Sequence, residues 1–173
     1  MKTIHILRHF KVKNITTKKL NSKEFSQWVD QYDKNPLEYL DMDLPKVDKV
    51  YVSTQNRARK TADHLKLEYE TTELLKEVEA SPFFNTTFKL PKNLWLIIGR
   101  MFWFFNIAKS ENKKDTIKRV DEFIKMTENE ESILIVSHGL FIKVLIYRLK
   151  KLGYNGEIDF RAKNGTLYTF VKE

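Results

Sequence analysis

The segment Ser132-Ile133-Leu134-Ile135-Val136 is apolar through its centre and runs straight into Ser137-His138-Gly139. A strand with no polar alternation is covered on both faces, as in a parallel sheet held between helices. Other short apolar runs share its character: Thr3 to Leu7, Val47 to Val52, and a brief Tyr69 to Glu73. Helical patterns alternate with them. Asn21 and Glu24 form a capping box ahead of Phe25, Trp28, Val29 and Tyr32, which recur at i, i+3, i+4, i+7. Further helices are predicted over Arg57 to Leu67, Asn93 to Lys109, Asp115 to Thr127 and Leu140 to Lys151, with Ser110-Glu111 as a candidate cap. Lys11 to Lys23 reads as a loop. Asn164-Gly165 predicts a hairpin turn between two short strands, the second being Thr166 to Val171. The expected fold is a three-layer α/β/α sandwich with a mainly parallel central sheet. It is expected to form one domain over 1–173, with a helical insertion at about 91–129.

Bulk properties narrow the function. The chain of 173 residues has no cysteine, which excludes disulfides, thiolate zinc sites and a cysteine nucleophile, and fits a reducing cytoplasm. Met1 to Arg8 lacks the apolar length of a signal peptide. The apolar run from Leu94 to Ala108 is broken by Arg100 and falls short of the roughly 20 residues of a bilayer span. The net charge of +8 favours anionic partners. The lysines are scattered, so a solvated basic surface accounts for the charge as well as any partner does.

Three segments deliver polar groups at strand ends: Ile6-Leu7-Arg8-His9, Val52-Ser53-Thr54-Gln55-Asn56-Arg57-Ala58, and Ile135-Val136-Ser137-His138-Gly139. In open α/β sheets ligands bind beyond the carboxyl ends of the strands. If these segments are neighbours, two histidines and two arginines converge. Guanidinium forks suit the non-bridging oxygens of a phosphoryl group. One imidazole can attack phosphorus while the other bonds an equatorial oxygen. His138 and Gly139 also sit where a helix begins and free N–H groups favour an anion.

In this order and spacing the segments resemble the histidine phosphatase superfamily, which includes the cofactor-dependent phosphoglycerate mutases. Arg8-His9 resembles its Arg-His-Gly signature, Ser53-x-x-x-Arg57-Ala58-x-x-Thr61-Ala62 its second block, and Ser137-His138-Gly139 its third. The resemblance implies a phosphoglycerate mutase-like sandwich, a phosphohistidine intermediate and no metal or other cofactor. His9 would be the nucleophile, and Arg8, Arg57, His138 and Gly139 would line the phosphate pocket. The acidic proton donor maps to Glu77 within Leu75-Lys76-Glu77-Val78-Glu79, with Glu79 its rival. Some positions depart from the pattern. Phe10 replaces the family's glycine, Val12 and Ile15 stand where a threonine and an asparagine are usual, and Lys11, Lys13 or Asn14 are substitutes. Gln55 and Lys60 replace a leucine and a glutamine of the second block, and Ala80-Ser81-Pro82-Phe83-Phe84 replaces a glycine-rich segment.

The leading expectation is a metal-independent phosphomonoester hydrolase for a small phosphorylated metabolite, with no nucleic-acid or membrane partner. A phosphoglycerate-type mutase and a phosphoprotein phosphatase are the alternatives within this chemistry. A phosphate- or nucleic-acid-binding module is the alternative outside it. His5 and His64 read as structural. The Trp95, Ile98, Phe102, Phe105 stripe is open to three readings: core packing, a lid over the pocket, or membrane contact.

Overall fold

The computed structural model describes residues 1–13, 19–108, 110–159 and 161–173. In chain order the strands are β1 (Lys2–Arg8), β2 (Lys11–Val12), β3 (Lys19–Leu20), β4 (Leu37–Glu38), β5 (Lys49–Ser53), β6 (Glu70–Thr72), β7 (Leu90–Pro91), β8 (Ser132–Ser137) and β9 (Leu167–Lys172). The helices are α1 (Ser22–Tyr32), α2 (Asn56–His64), α3 (Lys92–Phe104), α4 (Lys113–Met126) and α5 (Gly139–Lys151), with a short 3-10 turn at Glu73–Leu75. The central sheet runs β6-β5-β8-β1-β9. Its first four strands are parallel, and β9 closes one edge antiparallel to β1.

Residue alternation along the strands builds the layers. Ile4, Ile6, Tyr51, Ile133 and Ile135 face α4 and α5, where Val120, Phe123, Phe141 and Leu145 complete the core. The intervening Leu7, Val52, Leu134 and Val136 face the other way, onto Ala58 and Ala62 of α2. The expected three-layer sandwich with a mainly parallel sheet is therefore present. Beyond the sheet ends, α1 and α3 meet through Phe25 and Trp95 against Leu20.

Four local expectations change. The segment from Lys11 to Lys23 is not all loop, since β2 pairs with β4 and β3 with β7. Among the described residues the predicted hairpin has only its second strand, β9. Gly165 takes a φ of +64°, but its N–H donates to Arg8 O at 2.9 Å, so the turn docks on β1 instead of joining two strands. The helix predicted to run to Lys109 ends at Phe104. Asn106, at a φ of +58°, donates to Trp103 O, and Ile107 donates to Phe102 O, a Schellman stop in which Asn replaces the usual glycine. Lys109 lies outside the described residues. The cap of α4 is Asn112, whose side chain accepts from Lys114 and Asp115 while Asp115 answers its backbone N–H; Ser110 and Glu111 do not cap it.

Candidate active site

The three polar segments are neighbours because of the strand order. From β1 the chain crosses to β5 and β6, then returns to insert β8 between β5 and β1. Arg8 lies opposite Ser137 and Val52 opposite Val136, so the carboxyl ends stand level. The His9 N–H donates to Ser137 O at 3.0 Å, and Asn164 donates its side-chain N–H to His9 O at 2.8 Å. The backbone that carries His9 is thus held from both sides.

His9 and His138 are buried, with ring centroids 5.1 Å apart. His9 Nδ1 lies 2.6 Å from Phe10 O. A carbonyl only accepts, so Nδ1 carries the proton and Nε2 keeps its lone pair. Burial, then the positive charge of Arg57 and the weaker field of Arg8, hold the imidazole neutral and push its pKa down to about 3 against the opposing bond to Phe10 O. Burial and then Arg57 also push His138 well below the ordinary histidine value. His138 Nε2 lies 2.7 Å from Ser53 Oγ, which already accepts from the Gln55 N–H. The Ser53 hydroxyl proton is then free to go to Nε2, which leaves the imidazole proton on Nδ1. That buried Nδ1 has no protein partner among the described residues.

The arginines share this feature. Arg57 bonds Asp33 at 2.7 Å and Gln55 at 3.1 Å, yet its buried Nε has no partner among the described residues. Arg8 bonds Ala162 O at 2.7 Å, and its buried Nε likewise has no partner among them. Its guanidinium passes so close to Gly139 that a Cβ there would lie 3.0 Å from Arg8 Cζ. Arg8, Arg57 and His138 thus each present one unsatisfied buried nitrogen, and such groups call for an explanation. A cavity of about 400 Å³ opens beside Arg8, with Lys11, Arg161, Lys163, Asn164 and Glu38 also on its wall.

Glu77 is half-buried at the N-terminus of α5. Its carboxylate accepts from Phe141 N–H at 3.0 Å and Leu140 N–H at 3.2 Å, as well as from Val78. Glu79 is exposed. The segment ahead of Glu77 is clamped at three consecutive carbonyls: Arg119 donates to Leu74 O and Lys76 O at 2.9 and 2.7 Å, and Ser137 Oγ donates to Leu75 O at 2.8 Å. Arg119 is braced in turn by Glu111 at 2.7 Å and lies over the Phe141 ring. Removing one partner of a largely buried pair costs about 3 kcal/mol. Arg119→Gln should therefore lower thermal stability and loosen Glu77. A melting curve identical to wild type would show that the clamp holds nothing.

The structure brings together Arg8, His9, Arg57, Glu77, His138 and Gly139. It leaves His5 on Thr169 and His64 between Tyr39 and Asp41. Phe10 turns its ring into a separate apolar cluster with Val12 and Leu37, so the bulky residue at the glycine position does not occupy the site. Asn14 and Ile15 lie outside the described residues. Trp95 is core. Sequence reading missed Asp33, whose carboxylate also accepts from the first N–H groups of α2, and Tyr32, whose ring lies under the Arg57 guanidinium. It took Tyr32 for one more member of an apolar stripe. Arg119 carried no motif that set it apart, and Gln55 stood out only as a departure from the second block.

A family model of the histidine phosphatase superfamily (branch 1) matches residues 40–172. The match includes the segments of Arg57, Glu77 and His138 and begins after His9. No curated protein sequence matches the chain. Solved structures share the fold at low identity. An open reading frame product of Mycobacterium tuberculosis is 16% identical with a TM-score of 0.61, over 99% of this chain and 92% of its own. Phosphoserine phosphatase of Entamoeba histolytica, in complex with 3-phosphoglyceric acid, is 19% identical with a TM-score of 0.56, over 99% and 91%. The α-ribazole phosphatase of Shigella flexneri is 17% identical with a TM-score of 0.56, over 96% and 89%.

Proposed function

The chain belongs to the histidine phosphatase superfamily, and from that premise we propose that it hydrolyses phosphomonoesters through a phosphohistidine on His9. The observation that carries the reading is the set of unpartnered buried nitrogens on Arg8, Arg57 and His138 around a neutral His9. A phosphoryl group offers oxygen acceptors to all three.

In the first step His9 Nε2 forms a bond to phosphorus while the bond to the ester oxygen breaks. Glu77, whose carboxylate accepts from Leu140 and Phe141 in the free enzyme, must take up a proton before this step; it then gives that proton to the ester oxygen, and the alcohol leaves. Arg8, Arg57 and His138 hold the non-bridging oxygens as their charge redistributes. In the second step the Glu77 carboxylate takes a proton from water, the water oxygen bonds phosphorus, and the P–N bond breaks. Inorganic phosphate is released, and His9 regains its lone pair. Of the residues in these steps only Arg8 lines the cavity shared with Lys11, Glu38, Arg161 and Lys163; further negative charge on a small metabolite would reach that neighbouring space, where cations outnumber the one carboxylate.

The test is turnover of p-nitrophenyl phosphate and of a panel of phosphorylated metabolites in the presence of chelator. Among the described residues no group of three or more His, Cys, Asp or Glu could hold a metal ion, so the rate should be unchanged by chelation. Vanadate, which mimics five-coordinate phosphorus, should inhibit. A strict divalent-ion requirement, or no turnover of any ester, would overturn the reading. Isomerised ester in place of free phosphate would assign a mutase.

A further inference from the structure

Surface helices normally turn polar side chains outward, and a helix apolar on all sides belongs in a core or in lipid. α3 is apolar on both its inner and outer faces. Two tryptophans pin the inner face: Trp95 Nε1–H donates to Leu20 O at 2.8 Å, and Trp103 Nε1–H donates to Thr116 Oγ1 at 2.9 Å. Along the outer face, Leu94, Ile97, Met101, Phe104 and the adjoining Phe105 are each between 39% and 63% exposed. The spacing of three and four residues from Leu94 through Phe104 makes these four one continuous stripe, and Phe105 follows just past the end of the helix.

The stretch of chain that carries this stripe has charge of one sign: no aspartate or glutamate occurs between Glu79 and Glu111, while Lys89, Lys92, Arg100 and Lys109 do. Of these, Lys89 is paired with Glu24 of α1. Arg100 is exposed beside the stripe. The Lys113 ammonium stands 4.1 Å from the Phe104 ring centroid, over its face.

We propose that the outer face of α3 docks peripherally on an anionic lipid surface. Leucine, isoleucine and phenylalanine side chains sink into the boundary between headgroups and acyl chains, and the flanking cations meet the lipid phosphates. The helix lies in the interface and does not cross it; among the described residues no helix is long and apolar enough to do so. A second copy of this chain is the competing occupant. Pairing the stripe with itself would bring together the like charges of Arg100 and Lys113 from two molecules that each carry +8, which disfavours that contact. The docking is the opposite of the expectation of no membrane partner, and vesicle binding decides between them. Sequence periodicity marked the Trp95, Ile98, Phe102, Phe105 stripe, with core packing, a lid and membrane contact as its readings, and only the fold separates the buried tryptophans from the exposed stripe.

The test is co-sedimentation of the full chain with phosphatidylcholine vesicles, with and without phosphatidylglycerol. Binding should be at least about tenfold tighter to the anionic vesicles and should weaken in about 1 M salt, where the screening length falls to about 3 Å. An Ile97→Gln/Phe104→Gln double variant should lose about tenfold or more in affinity, because two partly exposed apolar side chains no longer leave water. Its far-UV circular dichroism and melting curve establish that it is folded. Failure of wild type to pellet with anionic vesicles would overturn the proposal, as would undiminished binding by the folded double variant. A wild-type dimer in analytical ultracentrifugation that the double variant disperses would assign the stripe to a second copy and also overturn it.

Discussion

Replacing His9 by alanine should abolish turnover, with a loss of about 10⁴-fold or more, the scale on which removal of a nucleophile stops a covalent mechanism. The wild type, quenched without acid during turnover of a labelled ester, should carry an acid-labile, base-stable phosphoryl group that the variant lacks. A folded His9→Ala protein working at the wild-type rate would refute the covalent route. The field around His9 adds a pH signature. Protonation would remove the Nε2 lone pair, but burial and Arg57 hold the pKa at about 3, far below the ordinary 6.5. Through mildly acidic pH the nucleophile therefore stays unprotonated in the free enzyme. The profile of kcat/KM should show no acidic limb near 6.5 that belongs to His9. Removing the Arg57 charge, as in Arg57→Gln, should raise the His9 pKa; a wild-type limb near 6.5 that moves further upward in that variant would mean that His9 titrates normally.

Glu77→Gln should reduce turnover of alkyl phosphates by roughly 100-fold or more, the usual scale of general acid catalysis. An alkoxide is a poor leaving group and needs a proton as its bond to phosphorus breaks. A nitrophenolate leaves with little help, so the loss on the aryl ester should be clearly smaller. Glutamine keeps the size of the side chain and its carbonyl oxygen can still accept from the α5 N-terminus, so the fold should survive. Equal losses on both esters would make Glu77 structural. A selective alkyl defect in Glu79→Gln alone would move the role to Glu79, although that side chain is exposed while Glu77 is braced against Leu140 and Phe141. Arg119→Gln provides a further comparison. If the clamp positions Glu77, its kinetic defect should have the same alkyl bias in weaker form.

Much of this was legible in the chain because buried strands and polar strand ends leave strong local marks. The unbroken Ile133 to Val136 run could only be a covered strand, and Arg8-His9 and Ser137-His138-Gly139 stand out because charge follows apolar sequence abruptly. What was illegible depended on distance. Asp33 closes on Arg57 across 24 residues, and Arg119 reaches back 45 to Leu74; neither pairing has a local pattern. The Asn164-Gly165 turn was recognised by its chemistry but given the wrong partner. Propensity specifies the bend, while the groups it bonds, here Arg8 O and His9 O, are decided by which strand end lies nearby. α3 fails for the opposite reason. Its pattern is so uniformly apolar that periodicity could not tell the face that packs from the face that does not.

The sheet order has a consequence for how the molecule comes into being. Of the five strands of the sheet β1 leaves the ribosome before the others, yet both of its neighbours, β8 and β9, come from the last third of the sequence. During synthesis, β1 and the Arg8-His9 pair therefore wait without their sheet partners while more than a hundred residues are added. The contacts that shape the pocket, such as Ser53 to His138 over 85 residues and Asn164 to His9 over 155, close loops of long span and should form late. A nascent chain of this protein has an exposed apolar β1 before it has a phosphate site, and in that interval its edges are open to wrong pairing.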